Sequence, residues 1–473
     1  MIADLKPYAE YKASNQAWIG PVPTHWSVLP NRAIFSEVKN RNHPDEEMLS
    51  VTITKGIIRQ KALLASSSKK DSSNLNKSAY KLVCPRDIAY NKMRAWQGAI
   101  GVSDYRGIVS PAYVIMRLRE DHNPRYFHHL YRTPHFAKEA ERWSYGITSD
   151  MWSLRPEHFK MIYTPLPSAG EQAAIVRFLD YANRRIDFFI RAKKKVIALL
   201  NEQKQAIIHQ AVTHGLDPNV PLKPSGIPWI EDIPKHWELY PLKKVLLKMD
   251  YGTSENVRGE GKIRVLTMGH IRDGNVLMPE SGGLEVAPKG LLLETNDLLF
   301  NRTNSPDLVG KVGLFTGGVT DQVTFASYLV RLRVHPQHNP FWLNYLLNSH
   351  RFWAYARSQA LVSLHQANLN STRYGQMILP IPPRLEQDAI VDHLVMQTEG
   401  IDRAFKSTNR EITLLREYRT RLIADVVTGK LDVREVVQNL PDEAAESGII
   451  DEGEILAGDG EMEDGMSGED GEL

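Results

Sequence analysis

Apolar residues fall on two different periods along this chain. In one block Ile175, Leu179, Ala182, Ile186, Ile190, Ile197, Leu200, Ile207 and Ala211 recur at spacings of three, four or seven. In another, Ile390, Leu394, Ile401, Phe405, Ile412, Leu415, Leu422 and Val426 do the same. Each pattern predicts one helix with a stripe close to a 3.5 repeat, sustained over about 40 residues without an internal proline. At 1.5 Å per residue such a helix is roughly 60 Å long, more than one compact domain needs. Two helices with equivalent narrow stripes most simply pack on each other as a coiled coil. The alternative is that each packs on its own domain.

Between these blocks the pattern changes. The stretches 18–164 and 226–379 hold short apolar runs such as Ala112–Met116 and Tyr328–Leu332, separated by Gly, Asn and Asp, and these predict strands. Tyr126–Tyr131 and Phe341–Leu347 predict short helices, so both stretches read as mixed α/β domains.

The chain is also written twice. Trp18-Ile-Gly-Pro-Val-Pro-Thr-His-Trp26 returns as Trp229-Ile-Glu-Asp-Ile-Pro-Lys-His-Trp237, and residues 165–217 align without a gap on 380–432 with 19 identities. Asp87-Ile-Ala-Tyr-Asn91-Lys92 has a weaker partner in Asp297-Leu-Leu-Phe-Asn301-Arg302. The organisation is therefore variable block, helical block, variable block, helical block, tail.

Charge sharpens this picture. The formal net charge is only +2, yet residues 441–473 hold 13 acidic side chains and no Lys or Arg, which leaves +15 on residues 1–440. A basic body with an acidic tail points toward nucleic acid. The tail reads as a disordered, solvated segment, with a DNA-mimicking competitor as the alternative. Cys84 is the sole cysteine, which excludes an intrachain disulfide or a multi-cysteine zinc site and fits a reducing cytoplasm. Met1-Ile-Ala-Asp-Leu-Lys-Pro has no signal-peptide character, and no run of about 18 apolar residues suggests a membrane span.

Catalytic chemistry is not legible. There is no phosphate loop and no dinucleotide fingerprint, and Asn123-Pro and Asn339-Pro read as turns that start helices. His25 and His236 recur with the paired tryptophans and read as packing residues, while His128-His129 do not share a helical face and so make a poor metal pair. Binding chemistry remains. Residues 1–165 carry a net +9 and residues 226–380 a net +3. Asn91, Lys92, Arg94, Asn301 and Arg302 lie just after predicted strands and have the right groups to touch phosphates or base edges. Arg59, Lys61, Lys69 and Lys70 in a serine-rich stretch, and Arg258, Lys262 and Arg264, are further DNA-binding candidates. For any one of them, a solvated surface charge is the competing reading.

Ile227-Pro-Trp-Ile-Glu-Asp-Ile-Pro-Lys-His-Trp237 with its first-copy partner, Pro380-Ile-Pro-Pro-Arg-Leu-Glu-Gln387 with Pro165-Leu-Pro-Ser-Ala-Gly-Glu-Gln172, and Asp87-Ile-Ala-Tyr-Asn-Lys-Met-Arg94 together resemble one family over about residues 15–432. It is the specificity subunit of type I restriction–modification systems. The resemblance implies an α+β fold with internal pseudo-twofold duplication: target-recognition domains over 1–166 and 218–380, and spacer helices over 167–217 and 381–432 forming an antiparallel coiled coil; the acidic tail over 433–473 is not part of the family pattern. It implies double-stranded DNA as ligand, each domain reading half of a bipartite asymmetric site. Two methyltransferase subunits would dock on the helices, along Ile175, Leu179, Ile186, Ile190, Ile197, Leu200, Ile390, Leu394, Ile401, Phe405, Ile412 and Leu415 as packing or interface positions. Restriction–translocation subunits would join for cleavage. S-adenosylmethionine, ATP and Mg would then belong to those partners, with no cofactor or metal in this chain, no membrane, and a prokaryotic cytoplasmic location. The rivals are a non-catalytic coiled-coil scaffold and a single-chain restriction–methylation enzyme.

Overall fold

Two helices run longer than any other described element, Ala169–His214 and Arg384–Val427, each about 65–70 Å at 1.5 Å per residue. The computed structural model describes residues 5–65, 77–146, 151–255, 261–280, 283–286, 288–317, 322–363 and 366–441. The first helix opens where the Ser168 hydroxyl accepts the Glu171 N–H, and the second opens behind Pro382-Pro383. Each stops at a glycine in the left-handed region, Gly215 (φ +74°) and Gly429 (φ +80°). A Cβ on Gly429 would stand 2.5 Å from Pro23 Cδ and one on Gly215 2.8 Å from Glu386 Oε1, so a side chain at either turn adds a close contact to a backbone that already favours glycine.

The residues divide into two units, Met1–Lys193 with Glu411–Leu473, and Lys194–Arg410, with both boundaries inside the long helices. The first unit holds a four-stranded antiparallel sheet ordered Phe35–Val38, Tyr113–Leu118, Ile88–Asn91, Ile100–Val102. The helices Pro124–Tyr131 and Pro134–Arg142 pack on it. Its core joins Trp26, Phe35, Tyr90, Phe127 and Phe159 to Ile175, Leu179 and Ala182 of the first long helix and Leu422, Val426 and Val427 of the second. Residues 433–441, grouped by composition with the acidic tail, belong to this core: Val433 and Val437 are buried around the short helix Arg434–Gln438. The rest of the acidic stretch, 442–473, lies outside the described residues.

The second unit repeats the plan. Four of its six sheet strands follow the same order: Leu246–Tyr251, Leu329–Val334, Leu298–Asn301, Val312–Leu314. Asn275–Val276 and Ile271–Arg272 extend that sheet, and the helices Pro340–Asn348 and His350–Ser358 answer the first unit's pair. Its core unites Trp237, Phe300, Trp342 and Tyr374 with Ile208, Ala211 and Val212 of the first long helix and Ile390 and Leu394 of the second.

The sequence stripes are the buried faces of the long helices, with Ile175, Leu179, Ile186, Ile190, Ile390, Leu394, Ile401 and Ile412 all buried. Ile197, Leu200, Phe405 and Leu415 are half-buried. In the first unit Asp187 pairs with Arg419 and Lys193 with Glu411, so neighbouring stretches of the two helices run in opposite directions. In the second unit Lys204 pairs with Asp402.

One side chain ties the first unit's distant segments together. Tyr126 is fully buried, and its hydroxyl lies 2.9 Å from the Pro165 carbonyl and 3.0 Å from the Val427 carbonyl. Tyr126→Phe keeps the ring and removes the single proton that the two carbonyls share. It is expected to lower stability by about 1–3 kcal/mol, read from the denaturant midpoint of this unit, with the secondary structure unchanged.

Candidate nucleic-acid interface

The duplicated motifs assemble the same two devices in each unit. The first is built on the Glu-Gln pair that opens each long helix. Gln172 donates to the Pro167 carbonyl, accepts the Asn123 N–H at 2.9 Å, and meets His122 Nδ1. Gln387 makes the same set with Pro382, Asn339 and His338. Asn123 and Asn339 in turn cap the short helices that start at Pro124 and Pro340, so both Asn-Pro pairs are helix starts. The neighbouring glutamates hold the His-Trp motifs: His25 lies 3.0 Å from Glu171 and His236 2.8 Å from Glu386.

The second device braces the central strand. Asp87 is buried and takes both Arg117 Nε and Nη2, at 2.7 and 2.8 Å, with the Cys84 N–H at 2.9 Å. Asp297 is bound likewise by Arg333 Nε and Nη2, at 2.8 and 2.7 Å, and by the Glu294 N–H at 2.8 Å. These bonds to the carboxylates hold both guanidinium pKa values above the ordinary arginine value. The strand so anchored ends at Asn91 or Asn301. The next residue is then fixed through its carbonyl: Lys92 accepts the Leu154 N–H and Arg302 accepts the Leu369 N–H. Lys92 and Arg302 thus occupy matching positions.

The candidates behave differently from one another. Asn91 accepts the Met93 N–H and shapes its own turn, with Lys92 and Arg94 half-buried beside it. Asn301 departs from the expectation of a surface reader. It is 2 % exposed, its amide reaches the Met268 carbonyl at 3.4 Å, and its Oδ1 has no hydrogen-bond partner in the protein. Its neighbours enclose that strand end: Asn301 pairs with Leu329, its N–H donates to the Lys311 carbonyl, and its carbonyl accepts the Gly310 N–H. Arg302 is half-buried, its guanidinium 4.9 Å from the Tyr251 ring. Arg59 is exposed, 3.4 Å from Glu47 and over the Tyr105 ring at 4.9 Å. Lys61 and Lys262 are exposed. Arg264 is committed to structure, donating to the carbonyls of Pro279 and Glu280. Lys69, Lys70 and Arg258 lie outside the described residues. Among the described residues no group of three His, Cys, Asp or Glu could hold a metal ion, and no helix is long and apolar enough to cross a membrane.

His128 gives this unit a pH dependence. It packs half-buried against Gly56 and Gly101 and accepts the Val102 N–H through Nδ1, which fixes the neutral ring. Burial, followed by the charges of His129, Arg132 and Arg125, holds its pKa well below the usual histidine value. The folded state therefore binds fewer protons than the unfolded state below about pH 6.5, and stability falls as pH drops through that value. Unfolding midpoints between pH 7 and 5 should decline more steeply in the wild type than in His128→Asn; parallel profiles would remove His128 from the account.

No family model matches the chain. It is 21 % identical over 438 residues to the specificity subunit of the type I restriction enzyme StySPI from Salmonella potsdam, covering 89 % of this chain and 92 % of that one. Against the EcoKI specificity subunit of Escherichia coli K12 the figures are 20 % over 447 residues, 89 % and 92 %. A putative MjaX specificity subunit from Methanocaldococcus jannaschii is 24 % identical over 209 residues, 42 % of this chain and 47 % of its own. In fold, a chain from a structure on complex assembly and conformational transition of the type I restriction–modification system superposes with a TM-score of 0.62 at 15 % identity, over 87 % of this chain and 99 % of that chain. The two relatives matched over 89 % of the chain are specificity subunits of type I restriction enzymes, the family that the duplicated motifs resemble.

Proposed function

We propose that this chain is the non-catalytic DNA-specificity subunit of a type I restriction–modification complex. The observation that carries the reading is the duplication in three dimensions. Each unit repeats one sheet order, one glutamine hub and one braced strand, while the residues displayed at the strand ends differ. A duplicated binder with diverged display suits two different half-sites better than one palindrome. Each unit reads one half of a bipartite asymmetric site, and the paired long helices set the distance between the halves. Apolar side chains left exposed on those helices, among them Phe188, Phe189, Val196, Leu199 and Leu414, offer docking positions for two methyltransferase subunits. S-adenosylmethionine, ATP and Mg then act on the partner subunits, which include the restriction–translocation subunits, in the prokaryotic cytoplasm.

The test is a base-by-base map of modified adenines in genomic DNA from cells carrying the chain with its partners. Two short defined sequences at fixed separation are expected. A continuous palindrome, or no modification dependent on this chain, would overturn the reading. In the latter case the coiled-coil scaffold takes its place.

A further inference from the structure

The first unit crowds cations at one end of its sheet. Val38 pairs with Ile115 and Asn91 pairs with Tyr113, so the chain leaving both flanking strands, at Lys39 and at Lys92, emerges beside the start of the strand Tyr113–Leu118. Arg41 is bridged through its backbone to Lys81. Lys81 is only 8 % exposed, and its ammonium donates to the Tyr113 carbonyl at 2.5 Å. Burial, then the charges of Lys92 and Arg41, hold that ammonium below the usual lysine value, with Glu37 opposing. Glu37 is itself engaged by Lys160 at 3.0 Å and Lys39 at 3.4 Å. Cations gathered around a nearly buried ammonium repel one another, and an anion seated among them relieves that repulsion.

Resting on the DNA-specificity reading, we infer that Lys39, Arg41, Lys81 and Lys92 form a seat for backbone phosphates of duplex DNA. Lysine is a compact point charge on a flexible stem, suited to phosphate. The same sheet end in the second unit is built otherwise. Tyr251 pairs with Val330 and Asn301 with Leu329, and Arg302 lies over the Tyr251 ring. Among the described residues, that end offers a stacked, planar guanidinium in place of a lysine cluster. The two halves therefore approach DNA by equivalent ends with unequal charge, and the first unit supplies more of the sequence-independent affinity.

The experiment measures binding of the full chain, assembled with its partners, to a random-sequence duplex across a salt series. Lys39→Ala, Arg41→Ala and Lys92→Ala are compared with wild type, and unchanged melting confirms that each is folded. Each variant is expected to bind more weakly and to flatten the slope of log affinity against log salt by about 0.9 per lost phosphate contact. The half-site sequences in the modification map are expected to stay the same. Wild-type slopes in all three variants would overturn the assignment, as would a changed half-site sequence, which would make these residues base readers. Inorganic phosphate at constant ionic strength is expected to compete with the duplex more strongly in the wild type than in the variants, because the seat takes phosphate from either source. Failure of the wild-type assembly to bind any duplex is a separate result, and it would overturn the DNA-specificity reading itself.

Discussion

Removing Lys194–Leu200 from the first long helix together with Ala404–Arg410 from the second is expected to change the separation of the two half-sites and leave their sequences alone. Seven residues shorten a helix by about 10 Å, or about three base pairs of duplex. The two excisions are matched. Lys193 keeps Glu411 as its partner, Lys204 keeps Asp402, and the removed turns lie between these pairs. One heptad also preserves the apolar stripe, so the helices meet on the same faces. Binding at the original spacing should collapse, because two modules cooperate only when geometry lets both engage. A map of modified adenines in cells carrying the shortened chain reads the outcome. Unchanged spacing would mean that the long helices do not measure distance, and altered half-site sequence would mean that they do more than measure it.

The second large effect concerns stability. Asp297 is 1 % exposed and satisfies two guanidinium nitrogens of Arg333 as well as a backbone amide. Asp297→Ala leaves Arg333, whose side chain is only 16 % exposed, with Glu294 as its remaining carboxylate partner, and is expected to destabilise the second unit by about 3 kcal/mol. The counterpart Asp87→Ala should cost less, because the Arg117 side chain is 49 % exposed and water can take over the charge. Asp297→Ala combined with Arg333→Met should recover part of the loss. Denaturant unfolding of the three variants decides the matter, and equal losses from single and double substitution would show that the pairing itself is not what matters.

Much of the architecture was legible in the sequence because it rests on local rules. The long helices follow from an unbroken stripe, the helix starts from Asn-Pro, and the central strands from the repeated Asp-to-Asn motif. The partners of that motif were not legible. Arg117 and Arg333 look like ordinary surface arginines within a strand, and only the sheet register brings each onto its aspartate. Asn91 and Asn301 fill equivalent positions in the motif, yet one faces partial solvent and the other is buried, its amide turned toward the Met268 carbonyl. Lys39, Arg41 and Lys81 do not stand out as a group in the sequence, since antiparallel pairing joins positions that lie far apart in the chain. The stacking of Arg302 on Tyr251 was hidden in the same way.

The first unit is closed by the chain's own far end. The Asp432 N–H donates to the Lys6 carbonyl, Arg434 lies over the Tyr8 ring at 5.1 Å, and Val426 and Val427 complete the core around Trp26. During synthesis the order of maturation is therefore the reverse of the order of writing. The second unit, a continuous stretch, can finish folding as soon as Arg410 has left the ribosome. The first must hold an incomplete core while about 220 further residues are made, roughly 10–40 s at ordinary translation rates. A premature stop just after residue 410 would thus spare the half of the protein encoded later and leave the half encoded first unfinished.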